Sequence, residues 1–311
     1  MKSDDVIFVA GGADTILGRA ITRSLRAAGY TSVLDGEGLQ LDDANAVTSF
    51  FSRTRPRRIF HAAGCSGGIE ANRRYPASLM LDNLAAITNV FAAARASRIE
   101  KLVYLASSCC YPRNAPQPMH PSSLFTGPVE PTNEAYASAK LSGITLCRAI
   151  HDEDGLSFIA AIPANTFAPD DDFSEEDSHV IGALIRRMHF AVEERASSVT
   201  LWGTGSPRRE FLPVDDIASA AIHVMNRYAG PEPINLGGGV DLSIAELAAE
   251  IADVVGFKGA IQFDPSKPDG MPRKVLDAAR LFDLGWKPSI PFRKALADTY
   301  DGFKSTLAVH S

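Results

Sequence analysis

Residues 6–29, "VIFVAGGADTILGRAITRSLRAAG", decide the fold. The first seven, "VIFVAGG" (6–12), are apolar and β-rich and read as a buried strand running into glycines. "ILGRAITRSLRAAG" (16–29) spaces apolar residues as an amphipathic helix does. A strand that passes through a glycine-rich turn into a helix lets backbone N–H groups and the helix N-terminus face a pyrophosphate. In a G-x-x-G-x-x-G dinucleotide pattern the aligned residues are Gly12, Thr15 and Gly18, and a threonine at the middle position crowds the closest approach of backbone to phosphate.

The alternation continues downstream. "SVLD" (32–35), "RIFHAAG" (58–64), "KLVYLASS" (101–108) and "SFIAAIPAN" (157–165) read as strands, with helical patterns near 43–53, 76–97 and 136–152. Continuously apolar strands alternating with helices predict an α/β fold, a doubly wound Rossmann parallel sheet with right-handed crossovers. After residue 166 the rhythm changes. "APDDDFSEEDSHV" (168–180) is acidic and loop-like, and helices near 179–196, 214–225 and 242–256 interleave with strands "SVTLWG" (198–203) and "EPINLGG" (232–238). "MPRKVLDAARLFDLGW" (271–286) closes with a turn. A smaller C-terminal α/β substrate lobe is expected beside the carboxyl edge of the sheet, where ligands of open α/β sheets bind. The expected division assigns residues 1–165 with 210–236 to the dinucleotide-binding domain and 166–209 with 237–311 to the second lobe.

Composition narrows the function. Acids and bases are well mixed and the net charge is −6, which argues against a nucleic-acid partner, since that needs a basic face. No apolar run approaches the ~20 residues of a membrane helix, and the start has no signal-peptide layout. The cysteines Cys65, Cys109, Cys110 and Cys147 form no C-x-x-C pair, so no metal site is expected and a reducing cytoplasm fits.

"YASAK" sets Tyr136 and Lys140 four apart, on one face of a helix. A lysine cation and the oxidised nicotinamide ring of a bound dinucleotide would both lower the phenol's pKa from about 10, so that it serves as acid or base near neutrality. Ser107, at the end of the fourth strand, is placed to hold a substrate oxygen. Asp35 ends the second strand where such folds read the adenosine ribose, and no arginine or lysine follows it in "DGEG", which favours NAD. The adjacent Cys109 and Cys110 in "SSCCYP" (107–112) are open to three readings: core filler, a metal or redox pair, or acid–base chemistry.

With these residues in view, the chain resembles the GDP-L-fucose synthases, extended short-chain dehydrogenases. The resemblance spans almost the whole chain through "GGIEANRRYPA" (67–77), "SSCCYP" with "QPM" (117–119), "EPTNEAYASAKLSGITLC" (130–147), "DSHVIGALIRRMH" (177–189), "LWGTGSPRREFLPVDD" (201–216) and "KPDGMPRKVLD" (267–277). It implies a homodimer through helices 76–97 and 136–152. It also implies that the enzyme inverts C3 and C5 of GDP-4-keto-6-deoxy-D-mannose and then reduces the C4 ketone with NADPH. Cys109 and His179 match the family's acid–base pair, with Ser107, Tyr136 and Lys140 at the ketone. Cys110 is then expected to turn to the strand's other side as a small hydrophobe. Pro163 joins the cofactor-binding set. Arg187 and Arg209 match positions that meet the GDP pyrophosphate or sugar. Asn165, Trp202, Lys274 and Asp277 complete the expected substrate set, with core packing an equal alternative for Trp202 and a solvated surface cation one for Lys274. Arg208 is expected to face solvent, and His61, His120, His151, His189, His223 and His310 to be structural or surface residues. Cys65 and Cys147 are expected to be structural thiols. Segments 125–133 and 165–180 would shape the sugar pocket.

The chain departs from the family at its cofactor end. Thr15 replaces a glycine, and Ala13 and Asp14 stand where the family usually carries His and Arg. Asp35 therefore favours NAD while the family resemblance favours NADPH. Cys65 replaces a lysine, "NTFAPD" (165–170) replaces "NLYGPH", and Pro213 stands where histidine is common. The same scaffold also admits an NAD-dependent sugar-nucleotide epimerase or 4-dehydrogenase, or a sensor without catalysis.

Overall fold

The apolar run near the N-terminus forms strand β1 (Ile7–Ala10), fully buried and ended by Gly11, whose φ of 81° turns the chain. The structure, a computed structural model, describes residues 1–174, 178–267 and 269–310, without the side chains of Ile69, Val309 and His310. Then come α1 (Ile16–Ala27), β2 (Val33–Leu34), α2 (Ala44–Thr54), β3 (Arg58–His61), α3 (Ile69–Arg74), α4 (Pro76–Ala96), β4 (Lys101–Leu105), α5 (Glu134–Asp154) and β5 (Ser157–Pro163). The second half holds β6 (Asn165–Phe167), α6 (Val180–Glu193), β7 (Ser198–Trp202), β8 (Arg208–Arg209), β9 (Phe211–Pro213), α7 (Val214–Arg227) and β10 (Ile234–Leu236). It ends with β11 (Leu242–Ser243), α8 (Ile244–Val255), β12 (Ala260–Asp264), β13 (Arg273–Lys274), α9 (Ala279–Asp283) and α10 (Phe292–His310).

Six strands form one parallel sheet in the order β10-β5-β4-β3-β1-β2. This is the expected Rossmann arrangement. The winding direction reverses between β1 and β3, the switch point outside which such sheets bind ligands. Right-handed crossovers put α1, packed on α7, on one face and α4, packed on α2 and α5, on the other. A second core gathers Phe167, Ile185, Leu247, Ile251, Leu296 and Phe303, away from the sheet's own core.

Three expectations change. The run 157–165 breaks at Ala164, so that Asn165 opens β6, which pairs with β9. The C-terminal segment carries β13, α9 and α10 in addition to a turn. Among the described residues, α4 is long and apolar enough by length and composition to cross a membrane, contrary to the expectation. Here its Leu79, Ile87, Val90 and Phe91 are buried and it packs against α5.

Candidate active site

The turn between β1 and α1 is built by Gly11 and Gly18. A Cβ on Gly11 would lie 2.7 Å from the Ala63 backbone, and one on Gly18 would overlap the Gly11 carbonyl. The first turning glycine is therefore Gly11. Gly12, chosen from the motif, instead packs its backbone on Asp35, where a Cβ would lie 2.8 Å from Cα. Thr15 is the N-cap of α1: its Oγ1 accepts the Gly18 N–H at 3.0 Å and lies 3.1 Å from the Ala62 carbonyl, to which it can donate. Its hydroxyl is spent on protein backbone. The N–H groups of the first helical turn have no carbonyl four residues back. With glycine on both sides of that turn, the cradle fits a dinucleotide pyrophosphate. Pro163 ends β5 at the same carboxyl edge, opposite Leu236 of β10.

Asp35 is not without a basic neighbour. Its Oδ2 accepts from Arg26 Nη2 at 2.8 Å and its Oδ1 from the Glu37 N–H at 3.4 Å. Burial works against ionisation, but the Arg26 guanidinium and these hydrogen bonds hold the carboxyl below its ordinary range. The arginine comes from α1, ahead of Asp35 in sequence.

The catalytic candidates meet at the carboxyl end of β4. Ser107, in extended conformation, caps a 3-10 turn over Ser108–Cys110, its Oγ accepting the Cys109 N–H at 3.2 Å. The turn rotates successive side chains by a third of a circle. Cys109 stays partly accessible while Cys110 is fully buried, its Sγ 3.9 Å from the Ala137 carbonyl. Cys110 is thus core filler, as expected, but because of a helical turn instead of the alternation of a strand. Burial pushes its thiol up to about 12.

On α5, Tyr136 and Lys140 share a face, with Lys140 Nζ 5.9 Å from the Tyr136 ring centre. Lys140 is 5% exposed and donates to the carbonyls of Ala63 (3.2 Å) and Leu105 (3.5 Å), and burial pulls its pKa down to about 8. Burial likewise pushes the Tyr136 hydroxyl up, with the neighbouring Cys109 adding to it, against a hydrogen bond with Ser107. Within the protein itself, burial is the largest influence on the phenol, and a protonated phenol is the form that donates to an oxygen.

Lys274 Nζ donates to Cys109 Sγ at 3.4 Å. Burial opposes a thiolate, yet Lys274, Ser107 and Asn133 together hold the Cys109 thiol below its ordinary value. His179 is the N-cap residue of α6 with no capping bond, so its ring is not tied to the helix. It is solvent-exposed, and crowding by protein and then Lys274 lower its pKa. Cys109 and His179 thus both sense one cation. Arg209, beside Lys274 in the β8–β13 pairing, is mostly enclosed and senses the charges of Cys109, Glu130 and Asp269.

Other expected site residues spread outward. Trp202 is 59% exposed, under Lys267 at 5.6 Å, which excludes core packing. Arg187 donates to the Thr200 carbonyl at 2.7 Å and, with Arg186 and Phe190, lines a cavity of about 470 Å³. Asn165 Nδ2 is committed to the Glu210 carbonyl at 2.8 Å. Asp277 stands apart: its Oδ1 accepts the Ala279 N–H, and it lines a recess of about 80 Å³ with His120 and Arg280. Arg208 does not simply face solvent, because it pairs with Asp241 and Glu246. Cys65 is exposed, against the expectation of a structural thiol, whereas Cys147 is buried. His120, His151, His189 and His223 each make hydrogen bonds outside this cluster, while the buried His61 lies against Tyr104 beside Lys140, where burial and then that cation lower its pKa to about 4. The His310 side chain and residues 175–177 of the sugar-pocket segment lie outside the described residues.

Comparison with known proteins identifies the family. The NAD dependent epimerase/dehydratase family matches residues 7–237. A probable GDP-L-fucose synthase 1 of Oryza sativa subsp. japonica is 46% identical over 94% of this chain and 90% of its own. The GDP-L-fucose synthase of Escherichia coli K12 is 44% identical over 96% of each chain. The chain belongs to the GDP-L-fucose synthase family. It is accordingly an NAD(P)-dependent oxidoreductase/epimerase. A GDP-L-fucose synthetase of Naegleria fowleri, solved bound to NADP, superposes with a TM-score of 0.90 at 28% identity, covering 99% of this chain and 95% of that one.

Within this GDP-L-fucose synthase framework, sequence reasoning missed Gly11, Arg26, Asn133 and Glu210. Asn133 stands just ahead of α5, hydrogen-bonds Cys109 and leaves its Oδ1 buried without a partner. The Glu210 carboxylate accepts the N–H groups of Gly238 (2.5 Å), Gly239 (2.7 Å) and Leu276 (2.8 Å). An acid directly after two arginines, in "RRE", was the available signal for Glu210. For Lys274 the motif was visible, but its pairing with Cys109 was not.

Proposed function

We propose that this protein is a GDP-4-keto-6-deoxy-mannose 3,5-epimerase-4-reductase that makes GDP-L-fucose or a closely related GDP-deoxysugar. The observation that carries this reading is the meeting of Ser107, Cys109 and Tyr136 at one strand end, with the Lys274 ammonium on the Cys109 sulfur. Hydrogens beside a ketone become removable when the resulting enolate oxygen is held by donors, here Ser107 and Tyr136. Cys109 and His179 serve the two faces of the sugar: one takes the proton, the other, recharged from water, returns one from the opposite side. A bound nicotinamide supplies hydride for the final reduction. Tyr136, kept protonated by burial, then gives its proton to the ketone oxygen, and Lys140 holds charge behind it.

In this reading residues 1–165 with 210–236 hold the cofactor through Gly11, Gly12, Thr15, Gly18, Asp35, Lys140 and Pro163. Residues 166–209 and 237–311 bind the sugar nucleotide through Arg187, Trp202, Arg209, Lys274 and Asp277, joined by Asn165 from the end of the first domain. Asp35 reads the ribose hydroxyls of NADH, and Arg26 offsets the charge that would otherwise repel the 2′-phosphate of NADPH. The free thiol base suits the reducing cytoplasm. The α4–α5 face, with Leu81 65% exposed, is the homodimer surface.

The test is loss of 340 nm absorbance with GDP-4-keto-6-deoxy-mannose and NADPH or NADH, with deuterium uptake at C3 and C5 followed separately. Net cofactor oxidation with uptake at both carbons is expected. Sugar interconversion without net oxidation would favour the epimerase alternative instead. Cys109→Ser should suppress uptake more than reduction of a pre-epimerised ketone, and equal damage to both steps would remove Cys109 from its role.

A further inference from the structure

Lys274 lies 165 residues from Cys109, yet its ammonium donates to that sulfur at 3.4 Å. Its backbone is clamped on both sides. The Lys274 carbonyl accepts the Glu210 N–H at 3.1 Å, and the Leu276 N–H is held by the Glu210 carboxylate at 2.8 Å. β13 pairs with β8 so that Lys274 stands beside Arg209. Among the described residues, no carboxylate forms a salt bridge with Lys274, and the sulfur is its side-chain partner. The sulfur itself is fixed from the other side by the 3-10 turn that Ser107 caps. A clamped strand delivering a cation to a largely enclosed thiol is a built arrangement, unlike a solvated surface lysine.

We infer that Lys274 is a positioning residue for epimerisation: its ammonium holds the Cys109 sulfur in place toward the sugar and stabilises the negative charge the sulfur carries when it acts as base. This rests on the reading of Cys109 as the base. In the step served, the C–H bond beside the ketone breaks and the S–H bond forms. The released electron pair moves into an enolate whose oxygen Ser107 and Tyr136 hold. Lys274 keeps its own proton throughout, and the thiol later returns its proton to water. The groups facing the sulfur are Lys274 on β13, Arg209 on β8, Tyr136 on α5, Cys110 in the same turn, and the neutral Ser107 and Asn133. Of the two cations, Lys274 is the one that touches it.

The test titrates Cys109 without substrate. In a Cys65→Ser background, the iodoacetamide reaction of Cys109 is followed against pH by mass spectrometry. Lys274→Met should move the midpoint upward, with the Cys109 alkylation rate at pH 7 falling about tenfold, as removal of an opposite charge requires. Lys274→Arg should restore the midpoint, and deuterium uptake at C3 and C5 should fall in Lys274→Met and recover in Lys274→Arg. If Lys274→Met unfolds, Lys274→Gln serves in its place. An unmoved midpoint in a folded variant overturns the inference, as does a moved midpoint with unchanged uptake. A wild-type protein that takes up no deuterium at all would instead bring down the epimerase reading, whatever the titration shows.

Discussion

Arg26 on α1 reaches the carboxylate of Asp35 at the end of β2, Nη2 to Oδ2 at 2.8 Å, with 29% of the Asp35 side chain open to solvent. A carboxylate at this strand end reads ribose hydroxyls and repels a 2′-phosphate. One whose charge is already offset repels it less. Removing Arg26 should therefore shift binding toward NADH, and removing the Asp35 charge should shift it toward NADPH. Arg26→Ala is expected to weaken NADPH relative to NADH by about fivefold in dissociation constant, one kcal/mol of lost charge compensation. Asp35→Asn should shift the ratio the other way. Nucleotide fluorescence titration measures both, and equal ratios in wild type and Arg26→Ala would sink the idea.

The glycine turn makes a second pair of expectations. Thr15 caps α1 from inside the loop, so Thr15→Gly, which restores the family's glycine, should change stability by only a few tenths of a kcal/mol. Cofactor affinity should stay within about threefold, since the hydroxyl is not in the cradle. Gly18→Ala should behave oppositely. Its Cβ would overlap the Gly11 carbonyl, so the helix start must move. A loss of cofactor affinity of more than about tenfold is expected, near 1.4 kcal/mol. Tight cofactor binding by a folded Gly18→Ala protein, with its helical circular dichroism intact, would contradict the geometry.

Glu210 ties the substrate side of the site together. Its carboxylate receives three backbone N–H groups from two distant segments, residues 238–239 and 276. Glu210→Ala strands those donors in a buried site and should destabilise the protein by about 3 kcal/mol. Glu210→Gln presents an amide N–H to at least one of them and should not fully rescue. Urea unfolding measures both, and a Glu210→Gln protein as stable as wild type would show that the charge is dispensable.

The parts of this molecule legible in sequence are those whose signal is local. β1, β3, β4 and β5 are apolar runs buried on both faces, and Tyr136 and Lys140 share a helix face by spacing alone. What escaped depends on chain segments far apart. β8 and β13 are two residues long and carry no pattern, yet their pairing sets Lys274 beside Arg209 and, through it, at Cys109. Arg26 precedes Asp35 and meets it only because α1 folds back along β2. α10 went unread although Leu296 and Phe303 anchor it in the second core; Gly302 and a run of polar residues dilute its helical pattern. In each case the missing term is tertiary contact overriding or supplying what local propensity lacks.

Lys140 gives the last prediction, and its sign follows from burial. Its pKa drops from 10.5 to about 8 in the folded protein. Between those values the unfolded chain binds the extra proton, so stability rises as pH climbs through that window. Below pH 8 the buried charge weighs against the fold by about 3 kcal/mol, partly met by its bonds to the Ala63 and Leu105 carbonyls. Lys140→Met removes the charge at every pH. Its thermal stability relative to wild type should therefore be highest near pH 7 and decline steadily toward pH 10, with both proteins measured free of nucleotide. The same variant should lose ketone reduction, since the cation behind Tyr136 is gone, so a stability gain at neutral pH would accompany a loss of function. A Tm difference that stays constant from pH 7 to pH 10 would mean that Lys140 does not carry a buried charge.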